Sequence, residues 1–457
     1  MFKKFFTYPV FLVIVLSIIG SILFGALLRH QYLEVNNERL QSLKKTAVFF
    51  AEIPMRLKAM VINRTIINFD KPMPFPKHKD KKQFEQFIED ERNGLLVSSR
   101  YDYNMSRSVV DIIDLKNFKI IHTYKHDISK MNDQVLNKEL YSNINIDQTP
   151  NKFRYFNPTI FEDGSLISHN FEGPLFKINL CSKLIWINDE KKFHHTQSID
   201  HEGNIWIGSY MSPQSKYVKK YSLKNYNEDG ITKINSKGKI TYVKSVNELL
   251  IENNLIPENF AFNLYRKKNY SQQIDNPLHL NDIEPALNNT DYWMQGDLFL
   301  SLRKISAIVH YRPSTNKVIN YITGPFAKQH DVDIISDKEI SIFNNNHFFV
   351  NNKYSEVIIY NFETNEFRTL FNDQLQKNNF KTNTDGLSHI FKDMSLMVEE
   401  QNHGRIILFN NEGEKEWEFV NKDKNGDIGF ISWSRVIEDE IFIEQFKSLV
   451  ENKKCTN

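Results

Sequence analysis

The chain has 457 residues, and its 58 basic and 56 acidic residues leave a formal net charge of only +2. This balance excludes the strongly basic surface that nucleic-acid binding requires, so we predict no nucleic-acid partner. Aromatic residues make up 13% of the chain, which is typical of a globular protein rich in strand-forming residues. Cys181 and Cys455 are too few to define a disulfide framework. We predict two free thiols, with one bridge between them as the alternative.

The first segment of the chain is apolar and carries no charged residue between residues 5 and 28. About 20 consecutive apolar residues cross a bilayer as one helix, so we predict a transmembrane anchor over residues 1–28. Lys3 and Lys4 precede this segment, and a short cationic N-terminus favours the cytoplasmic side. We therefore predict a single-pass inner-membrane protein whose C-terminal part lies in the periplasm. A cleaved signal peptide is the alternative.

Residues 29–100 are predicted to form a helical stalk and a linker. Apolar residues recur at helical spacing among charged ones in the first half of this range, and Pro54 interrupts the pattern. A basic, proline-containing linker follows at 72–82. Residues 81–91 are predicted to be a short charged helix.

After about residue 100 the sequence consists of short strand-like segments that repeat as trios. The middle segments are GPLFKIN from 173, DGITKIN from 229, SAIVHYR from 306, SEVIIYN from 355 and GRIILFN from 404. They start 56, 77, 49 and 49 residues apart, the length of a four-stranded blade with insertions. A partial copy occupies residues 108–124, so six blades are expected. The longest gap holds a partly helical insertion at 246–277.

The predicted fold class is therefore all-β, a six-bladed β-propeller with an N-terminal transmembrane helix and a helical stalk. The propeller spans residues 101–446, and residues 447–457 form a tail. A β-sandwich has similar short strands but does not account for the internal repetition. In a propeller the first strands of the blades line a central axis, so side chains that are distant in sequence can meet at one end of it.

Histidines precede the first strand of several repeats. His195 lies nine residues before the strand start at Asn204, and His330 lies nine residues before the strand start at Glu339. His279 precedes the strand of another repeat at a longer spacing. The equivalent position of the repeat that begins near residue 156 holds Phe156, so the blade fold does not require histidine there. These histidines are either functional or structural hydrogen-bonding residues of the blades.

The motifs around these histidines resemble those of the bacterial aryl-sulfate sulfotransferases. HLND at 279–282, SLR at 301–303 and QHD at 329–331 look like the core of that family. HHTQSIDHEGNIW at 194–206 resembles its earlier histidine blade. The similarity spans roughly residues 155–440 and keeps the order and spacing of the blades.

The resemblance implies a six-bladed propeller that moves a sulfuryl group from an aryl sulfate ester to an acceptor hydroxyl, on a phenol or an envelope glycan, without a nucleotide sulfate donor. It implies that a histidine is transiently sulfurylated and that no cofactor or metal is needed. The implied site residues are His330 as the nucleophile, His279 and His195 as the other active-site histidines, and Asn281 and Arg303 as sulfate contacts. His194 is the alternative to His195. Asp331 either orients the His330 ring or caps a turn.

Two other functions fit the same residues. One is a non-catalytic periplasmic propeller that binds or scaffolds envelope glycan. The other is a metal-dependent hydrolase, because three convergent imidazoles can hold zinc or iron. The sequence has no HExxH, GxxxxGK[ST] or GxSxG motif, so common zinc protease, nucleotide-binding and serine hydrolase sites are not predicted.

Overall fold

The structure is a computed structural model that describes residues 8–32, 38–67, 77–88, 92–220, 226–255, 276–346, 354–452 and 455. It divides into two units. The first contains residues 1–70 and 261–274, and the second contains residues 71–260 and 275–457. The propeller-like sheets and all the predicted site residues belong to the second unit.

The first unit contains two long helices, α1 Tyr8–Tyr32 and α2 Gln41–Ile67, with a short 3-10 turn at Glu38–Leu40 before α2. The segment Pro9–His30 of α1 is apolar and long enough to serve as a membrane span or a signal sequence. The predicted break at Pro54 is wrong, because Pro54 lies inside α2 and the helix continues through it. A proline removes one backbone donor, which does not by itself end a helix.

The second unit is built mainly from strands, joined by short helices. Its strands are β1 Phe84–Gln86, β2 Leu95–Asp102, β3 Arg107–Asp114, β4 Lys119–Tyr124, β5 Phe156–Ile160, β6 Leu166–His169, β7 Gly173–Ile178, β8 Leu184–Ile199, β9 Ile205–Tyr210, β10 Asp229–Ile234, β11 Ile240–Ser245, β12 Leu280–Pro285, β13 Leu298–Leu302, β14 Ala307–Arg312, β15 Lys317–Ile322, β16 Val332–Ser336, β17 Glu339–Asn344, β18 Glu356–Asn361, β19 Glu366–Leu370, β20 Leu387–Ile390, β21 Leu396–Glu400, β22 Arg405–Phe409, β23 Lys415–Val420 and β24 Arg435–Ile437. Its helices are α3 Ile128–Asp133, α4 Ile144–Asp147, α5 Lys216–Lys220, α6 Val246–Glu252, α7 Asn372–Lys377 and α8 Glu440–Asn452, with 3-10 turns at Arg303–Ile305 and Gln401–His403.

The strands pair antiparallel in an all-β, propeller-like arrangement, which confirms the predicted class. The sheet orders are β12-β13-β14-β15, β16-β17-β18-β19, β24-β2-β3-β4, β1-β23-β22-β21-β20 and β11-β10-β9-β8-β7-β6-β5. Each predicted middle segment is a strand, namely β7, β10, β14, β18 and β22. Large apolar side chains of these strands are buried in shared cores, for example Val309, Ile358 and Ile407.

The prediction of six separate blades is not met. The described strands form four separate blade-sized sheets and one seven-stranded sheet. The cause is β8, which is 16 residues long, whereas strands are usually about 5–6 residues long. Its first part pairs with β7, and its second part, from Phe193 to Ile199, pairs with β9. Two groups of strands are thereby joined through one continuous backbone.

The segment predicted to be a charged helix at 81–91 instead contains β1. Phe84 of β1 pairs with Phe419, and the Nζ of Lys81 lies 2.9 Å from the carboxylate of Glu418. Without β1, β23 would be the edge strand of its sheet, and its free backbone groups accept an added strand more readily than a charged segment forms an isolated helix. β2 also begins at Leu95, so strand structure starts inside the range predicted as stalk and linker.

The insertion at 246–277 is helical at its start, where α6 begins at Val246 after Ser245. The Oγ of Ser245 accepts a hydrogen bond from the backbone N–H of Glu248, which is an ordinary N-cap. Residues 256–275 lie outside the described residues.

The prediction of two free thiols is wrong, because Cys181 and Cys455 form a disulfide with a Cα–Cα distance of 5.4 Å. The residues predicted as a tail begin inside α8, which buries Ile443 and Phe446 in a core that also contains Leu180. Burial of this apolar face orders the C-terminus and brings Cys455 next to Cys181.

We expect Cys181→Ser to lower the free energy of unfolding by about 2–4 kcal/mol, because the bridge closes a loop across 274 residues of the chain. Thermal unfolding of the wild type with and without a reductant measures the effect. Cys455→Ser is the matched variant and should lower the midpoint equally. An unchanged midpoint in both variants would contradict the bridge.

Candidate active site

The predicted site residues lie in or just before the first strands of three groups, except Arg303, which follows β13. Gln197, two positions after His195, pairs with Ile207 of β9. Val332, two positions after His330, pairs with Ile342 of β17. Ile207 and Ile342 occupy equivalent positions of these next strands. The predicted equivalence of the two histidines is therefore confirmed. In β12 the corresponding pair is Ile283 with Leu300. Counting back two positions from Ile283 gives Asn281 as the third equivalent position, and His279 lies two residues before Asn281.

The three histidine rings converge although their positions span more than 130 residues of sequence. The ring centroid of His195 lies 4.9 Å from that of His279 and 6.5 Å from that of His330. His195 and His279 have left-handed backbones with φ of 62° and 60°. Non-glycine residues adopt this conformation at a cost of about 1–3 kcal/mol, and such strain concentrates at functional sites.

The tautomer of His330 is fixed by Asn345. The Nδ2 of Asn345 donates hydrogen bonds to the carbonyl oxygens of Thr382 at 3.1 Å and Asp385 at 2.8 Å. Its Oδ1 must therefore face His330, where it can only accept a hydrogen bond from Nδ1. The proton thus lies on Nδ1, and the lone pair of His330 lies on Nε2.

The Nε2 of His330 accepts a hydrogen bond of 3.0 Å from the backbone N–H of Asp385. This bond confirms that Nε2 is unprotonated, and it must be released before Nε2 can attack a substrate. Asp331 does not orient the ring. Its carboxylate accepts a hydrogen bond from the backbone N–H of Ser388 at 3.2 Å, so the alternative of a backbone-capping role fits Asp331.

Arg303 lies at the start of the 3-10 turn that follows β13, and its backbone N–H donates to the carbonyl oxygen of His279 at 3.0 Å. Its Nε is buried and has no hydrogen-bond partner in the described part of the chain. Burial lowers the pKa of His279 and His330, and the positive charge of Arg303 lowers both further. This guanidinium is thus available to an anion beside the histidines.

Asn281 is buried next to the same rings. One N–H of its Nδ2 donates to the carbonyl oxygen of Gln329 at 3.1 Å, and its Oδ1 is buried without a hydrogen-bond partner among the described residues. An amide has two N–H groups, so one donor and one acceptor of Asn281 remain for a ligand.

His194 lies behind His195 and not beside the other two rings. The Nδ1 atoms of the two histidines are 2.8 Å apart, so one donates to the other, and the Nε2 of His194 lies 3.4 Å from the carboxylate of Asp229. His195 therefore faces the convergence point, and His194 connects it to a buried acid.

Burial keeps these histidines neutral. It lowers the pKa of His330 to about 4 and holds the pKa of His195 and His279 well below 6.5, because the imidazolium form loses its hydration. Neighbouring positive charge, including that of Arg303, lowers the pKa of His279 further. At neutral pH the site thus combines unprotonated imidazoles with one guanidinium, which suits nucleophilic attack on an anionic ester.

A separate cavity of about 340 Å³ lies along the same first strands, and Asp282, Glu284, Asp331, Asp333 and Arg435 are part of its lining. Burial raises the pKa of all four carboxyl groups, and mutual repulsion adds to the effect in the first three. These carboxyl groups therefore keep their protons to a higher pH than exposed carboxyl groups do.

Across the residues that the structure describes, no group of three or more histidine, cysteine, aspartate or glutamate side chains is arranged to hold a metal ion. The metal-dependent hydrolase hypothesis therefore gains no support from the geometry of these residues.

Sequence reasoning missed two residues of the site, Asn345 and Asp385. Asn345 belongs to a run of three asparagines, and Asp385 lies in a turn before β20. Neither residue type nor spacing distinguishes them, because their contacts with His330 join residues 15 and 55 positions apart in sequence.

Comparison with known proteins gives one family and several distant structures. The profile of a family described as Arylsulfotransferase (ASST) matches residues 158–422, more than half of the chain. No curated protein matches the sequence. A Bacteroides caccae protein of unknown function is 12% identical with a TM-score of 0.47, over 76% of this chain and 100% of its own. TolB from Acinetobacter baumannii is 9% identical with a TM-score of 0.45, over 76% of this chain and 67% of the TolB chain.

A Staphylococcus aureus virginiamycin B lyase is 14% identical with a TM-score of 0.32, over 57% of this chain and 69% of its own. With identities and TM-scores this low, these structural similarities do not support any inference about the chain. The family profile, in contrast, matches more than half of the chain, and the chain therefore belongs to the arylsulfotransferase (ASST) family.

Proposed function

We propose that the chain transfers a sulfuryl group from an aryl sulfate ester to an acceptor hydroxyl through a covalent sulfohistidine at His330. The single observation that carries this proposal is the tautomer of His330, which Asn345 fixes so that the lone pair lies on Nε2. The buried Nε of Arg303, which has no hydrogen-bond partner among the described residues, supports it. The family assignment supports aryl sulfates and hydroxyl acceptors as the general substrate classes.

In the first half of the proposed reaction the Nε2 lone pair of His330 attacks sulfur and the S–O bond to the aryl group breaks. The phenoxide leaves with that electron pair. The imidazole ring becomes positively charged, and the Oδ1 of Asn345 stabilises the retained proton on Nδ1. Arg303 and the free N–H of Asn281 would stabilise the charge on the transferred oxygens.

In the second half an acceptor hydroxyl attacks the same sulfur, and the N–S electron pair returns to Nε2. The acceptor must lose its proton as it attacks. His279 and His195 are candidates for this general base, since both are unprotonated at neutral pH. The phenol and envelope-glycan acceptors remain alternatives within one mechanism.

The proposed function is tested by incubating purified protein with 4-nitrophenyl sulfate. We expect release of 4-nitrophenol that accelerates when a phenolic acceptor is added, together with formation of the sulfated acceptor. Folded protein that releases no phenol and forms no sulfated product would leave the non-catalytic, glycan-binding propeller as the better account.

The rate should be insensitive to pH through the usual titration range of histidine. Because burial lowers the pKa of His330 to about 4, the nucleophile stays unprotonated as the pH falls from 8 to about 5. We expect kcat/KM to fall only below that range, as Nε2 gains a proton. An acid limb centred near 6.5 would contradict the neutral, buried His330.

Asn345→Asp should move this acid limb to higher pH. A carboxylate beside Nδ1 favours the imidazolium form and therefore raises the pKa of His330. We expect kcat/KM at pH 5 to fall by at least about tenfold relative to pH 8, with a smaller loss at pH 8. A simple loss of structure would lower the rate at both pH values equally, so the pH dependence separates positioning from folding.

We also propose that the seven-stranded sheet consists of two blade-sized sets of strands that share β8. The change of partner along β8 supports this proposal, because β5, β6, β7 and the first part of β8 make one blade-sized set. The second part of β8 with β9, β10 and β11 makes another.

We further propose that residues 1–28 anchor the protein in the inner membrane and that the propeller lies in the periplasm. Lys3 and Lys4 before the apolar segment support this orientation. The Cys181–Cys455 disulfide supports an oxidising compartment. Protease protection of spheroplasts tests the topology, because a periplasmic propeller is digested without membrane lysis.

A further inference from the structure

A second cavity, of about 400 Å³, adjoins His195. Its lining includes Asp147, Lys152, Arg154, Phe171 and Asp385. His195 belongs both to this cavity and to the cluster of three histidine rings, so the cavity is continuous with the site of the proposed transfer. We call it the mouth cavity.

Arg154 is a cation without a direct counter-charge in the mouth cavity. Its guanidinium carbon lies 4.0 Å from the ring centroid of Phe430, and within the described part of the chain it makes no side-chain hydrogen bond or ion pair. Arg154 is partly buried, and the resulting loss of hydration lowers its pKa. An aromatic face compensates this loss only in part, since a cation–π contact contributes less than a charged hydrogen bond.

The acid that acts on Arg154 is shared with other groups. Asp385 interacts electrostatically with Arg154, Arg303 and His330, and its carboxylate accepts a hydrogen bond from the Nδ2 of Asn402 at 3.3 Å. The other two charged residues of the lining, Asp147 and Lys152, carry opposite charges. Because one carboxylate acts on two guanidiniums, this set of residues carries one positive charge in excess.

The walls beside Arg154 suit an aromatic ring. Phe171 is 42% exposed although it lies against His195, with the ring centroids 5.8 Å apart. Phe156 lies 6.1 Å from Phe171 and extends the apolar surface. A planar ring stacked on these side chains would lie in the same cavity as His195 and Arg154.

We propose that Arg154 forms a second anion-binding site, which selects aryl substrates that carry a carboxylate in addition to the hydroxyl or sulfate that reacts. This inference rests on the proposed function for the identity of the reacting group, but the binding site itself is independent of turnover. In a two-step transfer the departing phenol and the acceptor occupy the same place, so one cation selects both.

The test is equilibrium binding of 4-hydroxybenzoate and of its neutral isostere 4-hydroxybenzamide, measured by titration calorimetry on the full chain. We expect the carboxylate to bind about tenfold more tightly than the amide to the wild type, because a charge-assisted pair replaces a neutral one. Arg154→Gln should abolish the preference. Arg368→Gln, the same change at an exposed arginine of β19, should preserve it.

Equal binding of the two ligands to the wild type overturns the inference, as does a preference that persists in Arg154→Gln. If Arg154→Gln does not fold, the wild-type comparison still decides, together with Arg154→Lys, which keeps the charge and should keep part of the preference. If the protein turns over aryl sulfates but binds the carboxylate no more tightly than the amide, only this inference is contradicted. If it binds the carboxylate more tightly but shows no turnover, only the proposed function is contradicted.

Discussion

Replacing His330 with alanine is expected to lower the rate of phenol release from an aryl sulfate by at least about 10³-fold. The variant lacks the Nε2 lone pair that attacks sulfur, and no other described side chain has the same locked tautomer beside Arg303. His195 and His279 belong to the same cluster of rings, but neither ring is held by an amide oxygen as His330 is held by Asn345. We expect the structure to survive, because the change removes no strand pairing.

The matched control is His201→Ala, which removes an exposed histidine from the turn before β9 and should leave the rate unchanged. Measurement of single-turnover release for both variants separates the chemical step from product release. His330→Ala protein that retains more than about a tenth of the wild-type rate would rule out His330 as the nucleophile.

Arg303→Gln is expected to lower kcat by about 10²–10³-fold, the usual effect of removing one donor that stabilises developing charge. The effect should fall on kcat more than on KM, because the oxygens of the sulfuryl group gain charge in the transition state. Arg303→Lys should recover only part of the loss, since an ammonium cannot donate two parallel hydrogen bonds.

Arg368→Gln serves as the control for this change of charge as well. If Arg303→Gln raises KM alone and leaves kcat unaltered, then Arg303 only binds the substrate, and the proposed stabilisation of the transition state is wrong.

The strands could be predicted from sequence because each carries its own alternating pattern and turn residues. β7, β10, β14, β18 and β22 were found in this way. The fusion through β8 could not be predicted, because it depends on whether the fourteen residues 190–203, between two strand-like segments, form a loop or continue the strand. The pairing of β8 with both β7 and β9 decides between the two.

The two ends of the second unit were also unpredictable for a physical reason. β1 is charged and short, and it becomes a strand only because the edge of β23 accepts it. Cys455 is at the end of the chain and meets Cys181 only because α8 packs its apolar face on a core formed by distant strands. Both outcomes are decided by tertiary contacts that leave no local signal.

The candidate site was predicted in outline and not in detail. Repeat spacing indicated that His195 and His330 are equivalent and that His279 is a third candidate, and the family resemblance supplied Asn281 and Arg303. The tautomer of His330, the capping of Nε2 by Asp385 and the unbalanced charge of Arg154 all depend on contacts between separate strands. Such contacts become visible only once the first strands are placed side by side.

The central claim is tested most directly by locating the covalent intermediate. Protein is incubated briefly with an aryl sulfate in the absence of acceptor, quenched under alkaline conditions that preserve N–S bonds, digested, and analysed by mass spectrometry. We predict a peptide heavier by one SO₃ group, with the added mass on His330, which disappears when a phenolic acceptor is added before quenching. An adduct on His195 or His279, or none on protein that releases phenol, would contradict the account.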